Sequence, residues 1–558
     1  MIGRTSRVVV AMLAGAVFFA ACEDDDGGTG PSLTVPTNVQ VTIVSQTSLR
    51  VTWTSVSGAT GYVVQRASAG GDFASVGSPT ETTFDDTGLT PSTTYRYRVA
   101  ATAAGDQSGF SSEVNGNTPA EGPRVATLTG QITADRTLFA DTVYTLQGFV
   151  QVVAPATLTI QAGTLVLGDY ETVGSSLFIL RGAKIRAMGT AEAPIVFTSE
   201  RPVGQRQPGD WGGLILIGNA RINRTHPIVL EGTENFPTPL TYSGGTDDAD
   251  NSGEMHYVRV EFAGYATAEN AELNSFTFAA VGTATQLDHL QSMSGLDDSF
   301  EWFGGGVDAK YLVSYESGDD HFDMSEGYFG RLQHLIAYQS KVLQPRAGAG
   351  NVSGDPQGIE NDGCGGATAG GSGCPNGYDS QPFNLPMVAN FTFIGTGPNV
   401  VDATSGGYGL VLRRGTGGIY VNGLVARWPK AALSIRDQAA TGARINSGEL
   451  IIQNVLAADN PALFHQGQVT VDAGANALVS MLAAAPTLLA LLPADPSRGA
   501  EFDWTPSLNS AARVGGMAAF TGAIAAKAGT FVTPTAYRGA ADPNGPKWWA
   551  GWTSYADN

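Results

Sequence analysis

The chain has 558 residues, of which 42% are hydrophobic and only 15% charged, enough apolar material for more than one domain. Its net charge of −20 excludes an electrostatic nucleic-acid binder and a protein held by charge alone on an anionic membrane. Divalent cations, basic partners and neutral glycans remain as ligands. With 72 glycines punctuating short Val/Thr-rich runs, the expected class is all-β.

The N-terminus reads as a targeting segment. Arg4 and Arg7 precede an apolar stretch, 8–21, that is too short to span a bilayer. It ends at Phe19-Ala20-Ala21-Cys22, which resembles a bacterial lipoprotein signal. That resemblance implies cleavage before Cys22, lipidation of its thiol, and a place in the cell envelope facing the periplasm or the exterior. An ordinary secretory signal with an incidental cysteine is the alternative. Residues 23–32, rich in Asp and Gly, then form a flexible acidic tether.

Residues 33–118 alternate with period two in about seven short runs, as in Leu49-Arg-Val-Thr-Trp53 and Tyr95-Arg-Tyr-Arg-Val99, which predicts a β-sandwich. Pro36, Trp53, Tyr62 and the run Leu89-Thr-Pro-Ser-Thr-Thr-Tyr95 resemble a fibronectin type III domain. The resemblance implies a spacer or interaction module without chemistry. Residues 119–124 are the expected linker.

From 125 to 558 the pattern changes. Short apolar strands such as Ala156-Thr-Leu-Thr-Ile160 and Pro194-Ile-Val-Phe-Thr-Ser199 return at intervals of about 20 to 32 residues, which predicts a right-handed parallel β-helix. A β-propeller is disfavoured because blade-length repeats of about 40 residues are absent. Residues 472–494 form the strongest helical stretch, divided by Pro486 and expected on the flank or end of the solenoid. The closing Trp548-Trp549-Ala-Gly-Trp552 is expected to cap the open end, with a sugar platform as the alternative. Several segments, including Pro208-Gly-Asp-Trp-Gly-Gly213, Glu301-Trp-Phe-Gly-Gly and Gly318-Asp-Asp-His-Phe-Asp323, resemble a family of uncharacterised bacterial exported β-helix proteins, which supplies fold and export but no activity.

The densest chemistry lies on two rungs. Asp297-Asp-Ser-Phe-Glu301 returns as Asp319-Asp-His-Phe-Asp323 after twenty-two residues. Stacking coils about 4.8 Å apart brings Asp297, Asp298, Glu301, Asp319, Asp320 and Asp323 together. Unit charges at that distance repel by roughly 3 kcal/mol at an effective dielectric of 20, so the cluster calls for a cation, an arginine or shared protons. Glu360 and Asp362 are expected on the next coil, and Arg413 and Arg414 on the one after, as counter-charges. Three readings stand side by side. The acids bind calcium, with Asp247, Asp248 and Asp250 as a weaker second group. Or Asp298, Glu301, Asp320 and Asp323 catalyse polysaccharide cleavage with Arg413 or Arg414 as a lyase base, although the motif set of pectin-cleaving enzymes is not visible. Or the acids cap turns.

Tyr257, His289, Tyr311 and His334 recur on successive rungs, as a sugar-stacking ladder if outward and as core stacks if inward, the latter favoured. The six His residues show no HxH or HExxH pattern and the serines no GxSxG elbow, so zinc and esterase chemistry gain no support. In an exported chain Cys364 and Cys374 are expected to form a disulfide. The leading expectation is a lipid-anchored, non-catalytic β-helix that binds a polysaccharide or cell surface through calcium-ordered acidic rungs. The alternatives are a polysaccharide lyase or glycoside hydrolase, and a structural surface-layer protein.

Overall fold

A computed structural model describes residues 33–119, 124–225, 228–236, 238–268, 271–353, 356–364, 373–397, 407–465, 479–484, 489–491 and 502–555. The predicted signal segment, Cys22 and the tether lie outside the described residues, as does most of the predicted linker. The chain divides into two compact units between residues 122 and 123.

The first unit is the expected sandwich. One sheet holds Gln40–Ser45, Ser48–Thr52 and Thr83–Thr87; the other is built on Gly61–Ser68 and Thr94–Ala103. Trp53 packs edge-on against Tyr62 at 5.1 Å between ring centroids. The Tyr95 hydroxyl accepts a hydrogen bond from the Thr90 amide at 3.0 Å, the corner that the Leu-Thr-Pro run announced. Asp86 is buried here, and Arg66 and the Tyr97 hydroxyl both reach it.

The second unit is a parallel β-helix with three sheet faces. One face stacks Ser176–Ile179, Leu214–Ile217, Phe276–Val281, Phe300–Gly305, Asp323–Ser325, Ile359–Asp362 and Tyr408–Arg413, each parallel to the next. The long strands Gly253–Glu261, Gln286–Gly295, Asp308–Ser317, Arg331–Tyr338 and Met387–Ile394 stack likewise. Each of these bends and so serves two faces. At the shared bend one residue has positive φ: Tyr257, His289, Tyr311, His334 and Asn390, between 50° and 64°. A left-handed residue turns the chain without a loop; outside glycine it costs roughly 1–2 kcal/mol, and stacking with the same residue on the next coil offsets that cost.

Inside, the register read from the repeat is the register of the fold, with Glu301 opposite Asp323. Phe276, Phe300 and Phe322 therefore stack face to face, at 4.9 and 5.3 Å, fully buried. Burying each such ring contributes roughly 1.5–3 kcal/mol. The Asp-Trp-Gly-Gly turn is explained by close approach: a Cβ on Gly213 would lie 1.9 Å from the Asn274 carbonyl oxygen, so only glycine fits.

Three expectations change. The described parts of 472–494 are strands, Val479–Ala484 and Leu489–Leu491, and the short helix near the C-terminus is Gly522–Ala528 instead. Val479–Ala484 adds a further parallel rung on Leu450–Ala458, so solenoid pairing outweighs the local alanine and leucine propensity. The terminal tryptophans cover a flank and not an end. Trp552 meets Tyr257 and His289, Trp548 meets Tyr311, and Thr535 and Ala540 of the same segment reach Asn390 and His334. The Tyr–His column is accordingly neither core nor an open sugar ladder. Its rings stack on one another, 4.2 Å apart at Tyr257–His289 and 4.5 Å at His289–Tyr311, under this roof.

Candidate functional site: an acidic groove

The repeated acids occupy the face that carries Phe300–Gly305 and Asp323–Ser325, and they divide into three groups by what each side chain meets.

Asp298 and Asp320 belong to a corner ladder. The Asn274 side-chain oxygen accepts from the Asp298 amide at 3.1 Å, and Asp298 Oδ1 accepts from the Asp320 amide at 2.8 Å. Asp320 Oδ1 accepts from the Gln357 amide at 2.6 Å, and Gln357 Oε1 from the Tyr408 amide at 2.7 Å. Each side chain thus caps a backbone N–H that the corner removes from the sheet ladder. This is the geometry of the turn-capping reading.

Glu360 and Asp362 form the second group. Asp362 lies opposite Arg413 in register, and the Arg413 guanidinium reaches both acids, with Asp362 Oδ1 at 2.6 Å. Arg414 adds a second ion pair to Asp362. The expected counter-charges are therefore in place. Both arginines are thus paired with these acids, and neither is among the residues lining the groove of the third group.

The third group faces solvent space. Asp297 and Asp319 line a groove of about 840 Å³ together with Glu231 and Glu272, and no cationic side chain among the described residues lines it. Behind them stand Asp298, Glu301 and Asp323. Ligand oxygens of Asp297, Asp298 and Asp319 lie within 4.8 Å of one another, as do those of Asp298, Glu301 and Asp323. Asn274 donates to Glu301, whereas Asp323 Oδ1 is shielded from solvent without a hydrogen-bond partner among the described residues.

The electrostatics follow from this crowding. Burial first, then the charges of Glu231 and Asp319, push the Asp297 carboxyl well above its ordinary value. Burial and neighbouring carboxylates do the same to Asp298, Glu301 and Asp323. Glu231 rises to about 8, through burial and then Glu272. Glu360 rises to about 7, through burial and Asp362, with Arg413 opposing. A cation would relieve the first set without any change of fold. The donors are all carboxylate oxygens, one of them buried and unpartnered, which suits a hard ion such as calcium and not a soft one.

Glu231 and Glu272 are the residues that sequence reading missed. They sit on insertions, the turn that follows Val229 and the hairpin Ala266–Ala268 with Ala271–Glu272, tied together by Thr267 Oγ1 on the Gly232 carbonyl at 2.9 Å. No repeat aligns them with the rungs. The one available signal was the excess length between Leu214–Ile217 and Phe276–Val281. The weaker group, Asp247, Asp248 and Asp250, is not assembled. Asp248 is paired with Arg221, Asp247 caps the Ala249 amide at 3.0 Å, and Asp250 accepts from Ser252 at 3.2 Å.

The family model described as a pectate-lyase like beta helix domain matches residues 130–485. The chain belongs to this family. A fibronectin type III domain model matches residues 34–117. Among curated relatives, the chain is similar to exoglucanase B of Cellulomonas fimi, 40% identical over 115 residues, which is 19% of this chain and 10% of that protein. It is also similar to the poly(3-hydroxybutyrate) depolymerase of Ralstonia pickettii, 39% identical over 74 residues, 13% of this chain and 14% of that one. Among solved structures, the crystal structure titled FN3tt is 21% identical, with a TM-score of 0.15, covering 16% of this chain and 97% of its own. The chain thus spans about a tenth to a seventh of the two curated relatives. Cys364 and Cys374 form the expected disulfide, with Cα atoms 5.8 Å apart.

Proposed function

We propose that this is an exported, envelope-anchored protein whose β-helix binds a polysaccharide or another surface through a calcium-loaded acidic groove. The observation that carries the proposal is the groove lined by Glu231, Glu272, Asp297 and Asp319 and, among the described residues, by no cation, backed by the Asp323 oxygen that has no hydrogen-bond partner among them. Calcium would neutralise these carboxylates and leave open positions for sugar hydroxyls or carboxylates. The signal segment, lipidation at Cys22 and the tether belong to this proposal, as does the fibronectin type III module in the part of a spacer.

The test is thermal unfolding of the purified protein in EDTA and then in added calcium. Binding to the folded state alone adds about 2.7 kcal/mol at a hundredfold excess over Kd, so a clear rise in Tm is expected. The variant Asp297→Asn/Asp319→Asn should lose that rise. A wild-type Tm indifferent to calcium and EDTA would remove the cation from the reading.

One observation favours a second reading, cleavage of the bound chain. Burial and Glu272 raise the Glu231 carboxyl to about 8 in the same groove as Asp297 and Asp319, which suits a proton donor to a bound chain. Release of reducing ends or unsaturated products from polysaccharides, abolished by Glu231→Gln, would support it.

A further inference from the structure

The β-helix carries a second groove, of opposite sign, on the other side of one loop. Arg201, Arg206 and Lys341 stand around about 610 Å³ of space together with Gln205, Gln207 and Gln344, and no carboxylate among the described residues is in the lining. In a chain with 51 acidic and 31 basic side chains this runs against composition. The loop between Arg331–Tyr338 and Ile359–Asp362 separates the two grooves. Its first part, Lys341 to Gln344, lines the basic one, and its later part, Gly348 to Ser353, lines the acidic one.

The basic groove is built in advance. Arg346 anchors the loop by donating to the Asp210 carbonyl at 3.0 Å while its guanidinium lies 3.7 Å from the centre of the Tyr170 ring. Arg201 lies over the same ring at 4.7 Å. Arg206 Nε donates to the Arg201 carbonyl at 2.9 Å. Two acids beside these cations lie beneath the surface. Glu261 is 3% exposed and also held by Arg259 at 3.1 Å, and Asp210 is fully buried and accepts from Ser199 and the Gln207 amide. The buried Phe262 contributes an apolar floor.

We propose that this groove binds an anionic polysaccharide, independently of the calcium reading of the acidic groove. Arginine forks pair bidentately with carboxylate or sulfate, lysine adds a point charge, and glutamine amides both donate to and accept from sugar hydroxyls. Nucleic acid shares the anionic chemistry but is opposed by the net charge of −20, and the lining offers no exposed aromatic face for bases.

The experiment measures binding of the full chain to polygalacturonate oligomers, dextran sulfate and neutral dextran, each in EDTA and in calcium. The two anionic probes separate a carboxylate ligand from a sulfate one. Expected is binding of one or both in EDTA, none of neutral dextran, and weakening of about tenfold or more between 0.05 and 0.5 M salt. Arg201→Gln/Lys341→Gln should weaken binding about tenfold or more, and Lys341→Glu alone, at an exposed position, should do so without touching the fold. Equal binding of neutral dextran, tighter binding of single-stranded nucleic acid, or affinity unchanged in both variants would overturn the proposal. Binding that requires calcium and survives both variants would also overturn it, and would assign the ligand to the acidic groove instead.

Discussion

Two stretches of one acidic column reach opposite ends. On the rungs of Asp297, Glu301, Asp319 and Asp323 carboxylates are packed against carboxylates, and no arginine lines the groove they face. One coil further, Glu360 and Asp362 have the same chemistry, yet Arg413 and Arg414 arrive on the following strand and pair with them. The difference teaches what a solenoid does with charge. Repetition places like residues in contact, and only the content of the next coil decides whether the counter-charge comes from within the chain. Buried Asp86 in the fibronectin type III unit follows the internally paired pattern, through Arg66. The rungs where carboxylate meets carboxylate are where an external cation would act.

The comparison can be broken most severely at its satisfied end. Arg413→Met should strip Glu360 of the Arg413 guanidinium, leave Asp362 with Arg414 alone, and cost about 3–5 kcal/mol by chemical denaturation. If the paired end then becomes equivalent to the open end, added calcium should recover part of that loss. A cost below about 1 kcal/mol would mean that the two ends never differed.

A smaller effect separates capping from charge within the open end. Asp298→Ala removes the acceptor for the Asp320 amide and should cost about 1–3 kcal/mol. Asp298→Asn keeps an acceptor while removing a charge, so in EDTA it should be neutral or stabilising. Equal losses for both variants would show that the charge of Asp298 supports the fold.

The mildest test is pH. Glu231 and Glu360 have folded-state values of about 8 and about 7, above the ordinary 4.5. The folded state therefore holds more protons than the unfolded one between these limits. Their contribution is at its most favourable below about pH 4.5 and is lost as pH rises through 7 and 8. In EDTA the Tm should fall from pH 5 to pH 8.5, and saturating calcium should flatten that slope. A Tm that rises over this range would contradict the crowding.

Much of this was legible along the chain. The twenty-two-residue repeat set Glu301 opposite Asp323, and Trp53, Tyr62 and Tyr95 marked the sandwich, because period-two patterning and a fixed coil length are local properties. Residues 479–484 were misread for the same reason, since their helical propensity is local whereas the pairing that makes them a strand is not. The Trp548–Trp552 segment also exceeded sequence reading: its partners, from Tyr257 to Tyr311, lie more than two hundred residues away.

The residue order by itself determined the solenoid, its register and the stacking of acids upon acids, since each follows from apolar spacing repeated along one chain. Tertiary structure alone decided which acids became corner caps, which met Arg413, and which were left facing a groove walled by Glu231 and Glu272. Those outcomes depend on insertions and on coils distant in sequence, where distance in space, and not spacing along the chain, sets the Coulomb and desolvation energies.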